Sequence, residues 1–212
     1  MKRTTKYLMI FAALLLCLSF KVTAFAQITP FKTFNYSVRI GDSLWKICQK
    51  YEIGASEILS VNPQITNPDM IYPNQVIKIP DLSEIKALEK QVLTIVNSER
   101  AKNGLKALSH NWQLSRVARY KSQDMIDKKY FSHTSPTYGS PFNMMKNFGI
   151  NYRTGGENIA YGQRTPSEVM NSWMNSPGHR QNILSPNYSQ LGVGVARSSS
   201  GQLYWTQMFI GW

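Results

Sequence analysis

The first 26 residues constrain this chain most, because they have the pattern of a secretory signal peptide and so decide where the rest must fold. Three basic residues precede an uninterrupted apolar run from Tyr7 to Phe20, and Ala24-Phe25-Ala26 supplies the small residues of a cleavage site. The fourteen residues of that run fall short of the roughly 20 that span a bilayer. We therefore expect cleavage after Ala26, secretion, and no transmembrane anchor in the mature protein.

Cysteine usage limits what can hold the exported chain together. Cys17 lies in the signal segment, so the mature chain keeps only Cys48 and cannot form an internal disulfide. Small secreted animal and plant domains are commonly stapled by disulfides. We therefore expect a bacterial protein that relies on hydrophobic cores. Cys48 follows Leu44 and Ile47 in a helical pattern, so we interpret it as a buried apolar residue and not as a crosslink between chains.

Residues 34–81 have the pattern of one small unit. The predicted elements are a strand over 36–40, helices over 43–51 and 56–61, and a strand over 75–80. Asp42 or Ser43 is placed to cap the first helix, and Gly54 to end it. The sequence therefore predicts a βααβ domain.

The motifs of this unit resemble those of the LysM module along nearly its whole length. The matching residues are Tyr36, Val38, Gly41-Asp42-Ser43-Leu44-Trp45, Ile47, Asn62-Pro63, Ile71, Pro73, Gln75, Ile77 and Ile79-Pro80. Asn74 stands where the family usually has glycine, and we expect the turn to survive because asparagine tolerates positive φ. The resemblance implies binding of glycans that contain N-acetylglucosamine, such as peptidoglycan.

The resemblance also places the glycan in a groove between two loops. The corresponding residues are Gly41, Asp42, Ser43 and Leu44 after the first strand, and Asn67, Asp69, Met70 and Ile71 before the second. These positions offer backbone donors and acceptors beside apolar faces, which an acetamido sugar requires. A lone module of this family usually binds weakly, so we expect it to localise the protein.

Residues 84–212 mix helical patterns with alternating ones. The predicted helices cover about 84–102, 112–128, 141–148 and 166–173, and the predicted strands cover about 152–160, 191–197 and 203–210. Thr165 and Glu168 form a capping box, so we interpret Glu168 as a helix cap and not as an acid. Helices combined with a largely antiparallel sheet predict an α+β layered domain.

A polar, glycine-bearing stretch from Gly155 to Arg180 holds residues that could carry out chemistry. It contains Glu157 and His179, and a further imidazole, His133, lies upstream. Two histidines and one glutamate could form a metal site or an acid–base pair. They could equally form a buried hydrogen-bonded cluster without chemistry. The residue types alone leave these alternatives open.

The motifs around these residues resemble the CAP superfamily (cysteine-rich secretory, antigen 5 and pathogenesis-related proteins) in its disulfide-free bacterial form. They are Asn97-x-x-Arg100, Phe131-Ser132-His133, Gly156-Glu157-Asn158-Ile159-Ala160, the run from Trp173 to Arg180, Ile183-Leu184 and Gly192-Val193-Gly194-Val195. The resemblance covers residues 84–212 and implies an αβα sandwich whose cleft brings His133, Glu157 and His179 together. Many animal and plant members have a second cleft glutamate, where this chain has Ser176.

The absence of a second cleft glutamate constrains the chemistry of the cleft. An acid–base mechanism that needs two carboxylates is put in doubt. Imidazole nitrogens are good zinc ligands, so we expect His133 and His179 to bind Zn²⁺ or a similar ion, with Glu157 as a ligand or as the group that orients an imidazole. No serine has a nucleophile-elbow context, so a Ser/His/Asp hydrolase is not supported. Because the family offers no settled activity, the sequence leaves open whether the protein is an enzyme.

Charge is divided unevenly between the two units. The formal charge of +12 falls to +8 when the four basic residues of the signal segment are removed. Residues 35–80 balance to zero, whereas residues 84–212 carry fifteen basic and seven acidic side chains. The positive domain would be drawn to anionic wall polymers, or its charge only keeps the protein in solution. No basic run or RNA-binding signature indicates nucleic acid.

The sequence therefore predicts a secreted bacterial protein associated with the cell wall. The LysM domain would bind peptidoglycan, and the CAP domain would act as a non-catalytic binding or assembly module; in a spore former, the coat or cortex would be a plausible location. The alternative is a metal-assisted hydrolase that acts on a cell-wall or peptide substrate at the CAP cleft.

Overall fold

The computed structural model describes residues 32–212, and the predicted signal peptide at 1–26 lies outside them. Within the described range, no helix is both long and apolar enough to cross a bilayer. One hydrophobic cluster lies within residues 36–82, and two others lie within residues 92–210. The chain is therefore built from an N-terminal and a C-terminal unit, each with its own core.

The N-terminal unit is a two-stranded antiparallel sheet with two helices. Its elements are β1 (Thr33–Ser37), α1 (Leu44–Tyr51), α2 (Ala55–Ser60) and β2 (Val76–Pro80). The pairing of β1 with β2 runs from Thr33↔Pro80 to Ser37↔Val76. This order confirms the predicted βααβ arrangement.

A side-chain turn ends β1 earlier than the alternating pattern indicated. The Asp42 carboxylate accepts hydrogen bonds from the Tyr36 hydroxyl at 2.7 Å and from the Arg39 backbone N–H at 2.8 Å. These bonds draw the chain into a turn, so β1 lies three residues before the predicted range of 36–40. With Asp42 engaged in that turn, Ser43 caps α1.

Two residues with positive φ shape the rest of this unit. Glu52 adopts φ 52° and ends α1, so the prediction that Gly54 ends the helix was wrong. Gly54 instead precedes α2. Asn74 adopts φ 68°, as expected for asparagine in place of glycine.

The core of the N-terminal unit contains Cys48. The side chain is fully buried beside Leu44 and Ile47, and burial raises the pKa of the thiol to about 11. Since the neutral thiol behaves as a small apolar group, the structure agrees with the interpretation of Cys48 as a core residue.

The C-terminal unit is a four-stranded sheet between two helical layers. Its elements are α3 (Ser83–Lys102), β3 (Ser109–His110), α4 (Trp112–Asp127), α5 (Pro141–Asn147), β4 (Thr154–Tyr161), α6 (Pro166–Met174), α7 (Pro177–Ile183), β5 (Gln190–Arg197) and β6 (Leu203–Gly211). The strand order is β3-β5-β6-β4, and only the short β3 is parallel to its neighbour. α3 and α6 contribute to the core on one face, and α4 and α5 to the core on the other. The predicted α+β sandwich is confirmed.

α4 lies unusually close to β5 because β5 contains glycine at alternate positions. A Cβ atom on Gly194 would overlap the backbone of Ala118 and Arg119, and one on Gly192 would overlap that of Leu114. The absence of these side chains lets the helix seat directly on the sheet. This contact fixes the end of α4 and hence the start of the segment that follows it.

α3 begins one residue earlier than predicted, and a further short helix, α7, follows α6. Ser83 is the first residue of α3, and the Asp81 carboxylate caps the helix by accepting from the Ser83 backbone N–H at 2.9 Å. α7 was not predicted. It begins with Pro177, which has no backbone N–H to leave unpaired at a helix start.

The predicted capping box at α6 is present. The Thr165 hydroxyl accepts from the Glu168 N–H at 3.2 Å, and the Glu168 carboxylate reaches back to the Arg164 N–H at 2.8 Å. Glu168 is therefore a helix cap.

The two units touch through a hydrogen bond from Arg119 and a ring contact. Arg119 on α4 pairs with Glu89 on α3 through two N···O contacts of 2.8 Å, and it also donates to the Glu52 carbonyl of the N-terminal unit at 3.1 Å. The Trp45 and Trp112 rings lie 6.0 Å apart, centre to centre. Arg119 therefore joins two helices of one unit to the other unit.

Candidate functional site

The centre of the candidate site is a pair formed by His133 and Glu157. Glu157 projects from β4, and His133 lies in the segment that follows α4. His133 Nδ1 and Glu157 Oε1 are 2.7 Å apart. The Glu157 side chain is only 1% exposed, whereas the His133 side chain is 54% exposed. The carboxylate thus anchors an imidazole that faces solvent.

Lys121 positions the backbone that carries His133. Its side chain lies on α4, and its ammonium donates to the carbonyls of Ser132 at 2.7 Å and His133 at 2.8 Å. Burial lowers the Lys121 pKa, and the nearby negative charges of Glu157 and Asp124 oppose that effect. A buried cation therefore lies beneath the pair and is balanced by carboxylates on either side.

Asp124 fastens the rest of this segment to α4. Its carboxylate accepts from the hydroxyls of Tyr130 at 2.6 Å, Ser135 at 2.7 Å and Thr137 at 2.5 Å. Burial and the bond to Asp124 raise the Tyr130 pKa well above its usual range, so this phenol stays protonated and keeps donating. The segment around His133 is therefore held at both ends by side chains of one helix.

His179 reaches the same region on α7, which is tied to β4 by side-chain amides. Asn158 on β4 donates to the His179 carbonyl at 3.1 Å. Asn182 on α7 donates to the Glu157 carbonyl at 3.1 Å and to the Asn158 side chain at 2.9 Å. Burial, and secondarily the charge of His133, lower the His179 pKa. The second imidazole is thus held near the first and favours its neutral form.

The predicted metal site is not assembled as three ligands. Residues 32–212 contain no group of three His, Cys, Asp or Glu side chains placed to hold a metal ion. Glu157 is bonded to His133 through Oε1, while its buried Oε2 has no hydrogen-bond partner. Ser176, which directly precedes α7, occupies the position where many animal and plant members have the second cleft glutamate. The arrangement supplies one carboxylate–imidazole pair and a neighbouring imidazole, with Glu157 in the orienting position that was one of the two expected alternatives, and metal binding by the two imidazoles stays a prediction.

The pair can orient a proton donor or acceptor. A carboxylate accepts hydrogen bonds, so Nδ1 of His133 donates to Glu157 and Nε2 is left for another partner. Among the described residues, no Ser, Thr or Cys side chain is hydrogen-bonded to His133 or His179. The geometry therefore presents a half-exposed imidazole that a buried carboxylate holds in one orientation.

A third imidazole, His110, lies between the units and away from this pair. Its Nε2 is 3.2 Å from the Ser115 hydroxyl, and its Nδ1 is 3.8 Å from a Glu52 carboxylate oxygen. Ser115 is fully buried and accepts from the Val193 N–H at 3.1 Å. His110 and Ser115 line a recess of about 370 Å³ that Glu52 also lines, and the Ser115 hydroxyl is already engaged as an acceptor by the Val193 N–H.

Sequence reasoning missed Lys121, Asp124 and Asn182, which place the histidines. One signal was available for Lys121, because it follows Leu114 by seven residues and precedes Met125 by four on the apolar face of α4. A charged side chain at a buried helical position needs hydrogen-bonding partners, because burying it unpaired costs free energy. Nothing in the local sequence of Asn182 indicated a partner on β4.

The predicted glycan groove occupies one end of the N-terminal sheet. The ladder between β1 and β2 continues from the Val38 N–H to the Gln75 carbonyl at 2.9 Å and from the Asn74 N–H to the Val38 carbonyl at 2.8 Å. The two candidate loops leave from this same end, since one follows β1 and the other precedes β2. The loops over 39–43 and 62–75 are therefore neighbours in the fold.

The eight groove candidates divide into exposed and structural positions. Leu44 is a core residue, and Ile71 packs against that core. Gly41 adopts φ 83° in the turn that Asp42 and Ser43 stabilise.

In the second loop, the Asn67 side chain accepts from the Asp69 N–H at 3.0 Å. Asp69 and Met70 are exposed. The side chains available to a ligand are therefore mainly those of the second loop, while the first loop offers backbone.

Two family patterns match the chain in the order of its two units. The LysM domain matches residues 36–80, and the CAP pattern, described as the cysteine-rich secretory protein family, matches residues 93–209. The second match alone covers more than half of the 212 residues.

Two curated bacterial proteins show different degrees of likeness. YkwD, an uncharacterized protein of Bacillus subtilis (strain 168), is 60% identical over 129 residues, which cover 61% of this chain and 49% of YkwD. The spore coat assembly protein ExsA of Bacillus cereus is 44% identical over 46 residues, which cover 22% of this chain and 7% of ExsA. The chain therefore spans about half the length of the first relative and little of the second.

A solved structure supports the fold of the C-terminal unit. It is an extracellular protein containing an SCP domain from Bacillus anthracis str. Ames, with a TM-score of 0.57 and 31% identity. The match covers 66% of this chain and 47% of that protein.

Proposed function

The chain belongs to the cysteine-rich secretory protein family and carries a LysM domain ahead of its CAP domain, and on that basis we propose that it is a secreted protein of the bacterial cell wall. The LysM domain binds peptidoglycan through its N-acetylglucosamine units. The CAP domain acts as a non-catalytic binding or assembly module.

The observation that carries the proposal is the open end of the LysM sheet. Two neighbouring loops leave there, and they combine exposed backbone at Gly41 with the exposed side chains of Asp69 and Met70. An acetamido sugar needs hydrogen-bonding groups beside an apolar contact, and both are present. The rigid turn at Asp42 and the Asn67 side chain hold the two loops in place before a ligand arrives.

The CAP cleft supports binding better than hydrolysis. Among the described residues, Glu157 is the one carboxylate bonded to a cleft imidazole, and neither cleft imidazole is hydrogen-bonded to a hydroxyl or thiol. General acid–base hydrolysis of a glycan normally uses two carboxylates on opposite sides of the bond. A half-exposed imidazole on a buried carboxylate is instead a pre-oriented hydrogen-bonding group.

A spore-surface location is the finer part of the proposal. A segment about the length of the LysM domain is 44% identical to part of the spore coat assembly protein ExsA. If the host forms spores, the chain would be recovered with the coat or cortex fraction, which is measured by blotting fractionated spores.

The test is co-sedimentation of the mature full chain with purified peptidoglycan. We expect binding to persist in high salt, which screens attraction between the basic CAP domain and anionic polymers. Asp69→Ala/Met70→Ala should weaken it, and N-acetylglucosamine oligomers should compete. Asp127→Ala, which removes an exposed carboxylate at the end of α4 in the other unit, serves as the matched control.

Two outcomes would contradict the proposal. Salt-resistant binding that is indifferent to the Asp69→Ala/Met70→Ala change and to the oligomers would show that the LysM domain is not the tether. Release of defined fragments from peptidoglycan, seen by mass spectrometry and abolished in His133→Ala, would show that the CAP domain is catalytic.

A further inference from the structure

Three aromatic side chains form a continuous strip on the CAP domain. The Phe131 and Tyr161 rings lie 4.6 Å apart, and Tyr161 stacks on Tyr204 at 5.5 Å with an interplanar angle of 21°. Phe131 is 46% exposed and Tyr161 is 47% exposed. We call Phe131, Tyr161 and Tyr204 the aromatic strip. Two large half-exposed rings, one on β4 and one on the segment that follows α4, mark a surface that can bind an apolar face.

The strip is continuous with the His133–Glu157 pair. Phe131 and His133 belong to the segment held by Lys121, and Tyr161 and Glu157 belong to β4. The segment lies along β4, with the Phe131 ring against Tyr161 at one point and the His133 ring against Glu157 at the other. Four residues of strand separate these points by about 13 Å. One extended ligand could therefore contact both.

Two further features indicate the chemistry of that ligand. Glu157 Oε2 is a buried acceptor without a partner, beside the half-exposed imidazole. Beyond Tyr161, an open recess of about 450 Å³ is lined by Gly162, Arg164, Arg197, Ser200, Gly201, Gln202 and Leu203. Arg164 provides positive charge at the far end of the strip, while the Arg197 guanidinium is paired with Glu84 at 2.6 Å. The surface thus offers a half-exposed imidazole, stacking rings and the Arg164 guanidinium in sequence.

From this arrangement we infer that the aromatic strip is a second glycan-binding surface, which takes a pyranose strand bearing anionic groups. The C–H face of a pyranose ring stacks on aromatic rings, sugar hydroxyls donate to carboxylates and imidazoles, and an anionic substituent pairs with arginine. The inference rests on the proposed function in one respect, since it identifies the wall glycan as the ligand of the CAP module.

The shape and charge of the surface favour this occupant. The strip is a shallow surface along an edge strand and not a deep apolar pocket, so it does not enclose a lipid chain. Residues 84–212 carry the whole net charge of the mature chain, +8, which complements an acidic polymer. The LysM loops lie on the same chain, so two weak sites on one wall strand would reinforce one another.

The test is calorimetric titration of the mature full chain with a tetrasaccharide of peptidoglycan glycan that retains its lactyl carboxylates. A short ligand cannot bridge both sites, so stoichiometry counts them. We expect two sites in the wild type. Phe131→Ala/Tyr161→Ala should lose at least about tenfold in affinity at one site, since each 1.4 kcal/mol of lost contact is tenfold.

Two matched controls separate stacking from general damage. Tyr161→Phe keeps the ring and should bind like the wild type. Phe142→Ala removes an equally exposed phenylalanine from α5, at 48%, and should leave both sites unchanged. If Phe131→Ala/Tyr161→Ala fails to fold, the ring resonances of Phe131 and Tyr161 in the wild type provide the measurement, because they must shift on titration.

The outcomes distinguish this inference from the proposed function. One site in the wild type, removed by Asp69→Ala/Met70→Ala alone, would overturn the aromatic strip and leave the LysM tether standing. One site in the wild type, removed by Phe131→Ala/Tyr161→Ala and unaffected by Asp69→Ala/Met70→Ala, would support the strip and contradict the tether. Binding at the strip by a polyphosphate wall polymer but not by the tetrasaccharide would overturn the glycan assignment.

Discussion

Replacement of Lys121 by methionine is expected to destabilise the protein and release the His133 segment. Lys121 is buried, with 1% of the residue exposed. Its ammonium makes charge-assisted hydrogen bonds of 2.7 and 2.8 Å to the Ser132 and His133 carbonyls. Each such bond contributes about 1.5–3 kcal/mol. Methionine recovers part of the cost of burying an ammonium, but it leaves two carbonyls and the neighbouring carboxylates uncompensated.

The net cost should therefore be about 3–5 kcal/mol, as for removal of one partner from a buried charged pair. A domain of this size loses about 2–4 °C of melting temperature per kcal/mol, so Tm should fall by about 6–20 °C. Differential scanning calorimetry measures this shift. The imidazole resonances of His133 should also broaden or lose their single conformation, which a purely remote loss of stability would not cause below the melting transition.

Lys128→Met is the matched control, because Lys128 immediately follows α4 and is exposed. A surface change of this kind should stay within about 0.5 kcal/mol of the wild type. A Tm for Lys121→Met within experimental error of the control, with unchanged His133 resonances, would refute the assignment of Lys121 as the residue that positions this segment.

Two other predictions concern packing and pH. Gly194→Ala should lower the free energy of unfolding by about 1–3 kcal/mol or more, because its Cβ would overlap the backbone of Ala118. Gly178→Ala in α7, whose Cβ meets nothing within 4 Å, should raise it by about 0.5–1 kcal/mol. Urea denaturation measures both changes, and a cost no larger at Gly194 than at Gly178 would contradict the close packing of α4 on β5. Burial and His133 lower the folded-state pKa of His179, so the unfolded chain takes up the proton first and stability should fall as pH drops below about 6.5. His179→Gln should lose less stability than the wild type between pH 7 and pH 5 in melting experiments, and an identical loss would show that His179 is not responsible.

The sequence determined the elements whose signals are local. Apolar spacing placed α3 and α4, Thr165 and Glu168 marked the start of α6, and Asn74 took the positive φ that its position required. The LysM and CAP motifs then identified the two folds. These features depend on residues close together in the chain, so they can be recognised without knowing what packs against them.

The tertiary structure decided which of those residues form a site. Leu44 looked like a groove residue but lies in the core, and the three predicted cleft residues form one bonded pair with a neighbour. His133 and Glu157 are 24 residues apart in the sequence, and Asn158 donates a hydrogen bond to Gln207, which is 49 residues away. Whether such groups meet depends on the seating of α4 on the sheet and of α7 on β4.

Partners for buried charges also come from distant segments, which is why local patterns could not supply them. The ammonium of Lys121 is satisfied by carbonyls eleven and twelve residues away, and Arg100 donates to the carbonyl of Ser185, 85 residues away. A charge at an apolar helical position shows in the sequence only that some partner must exist, because burying it unpaired would cost too much. Folding brings that partner into place, and only the folded chain shows which group it is.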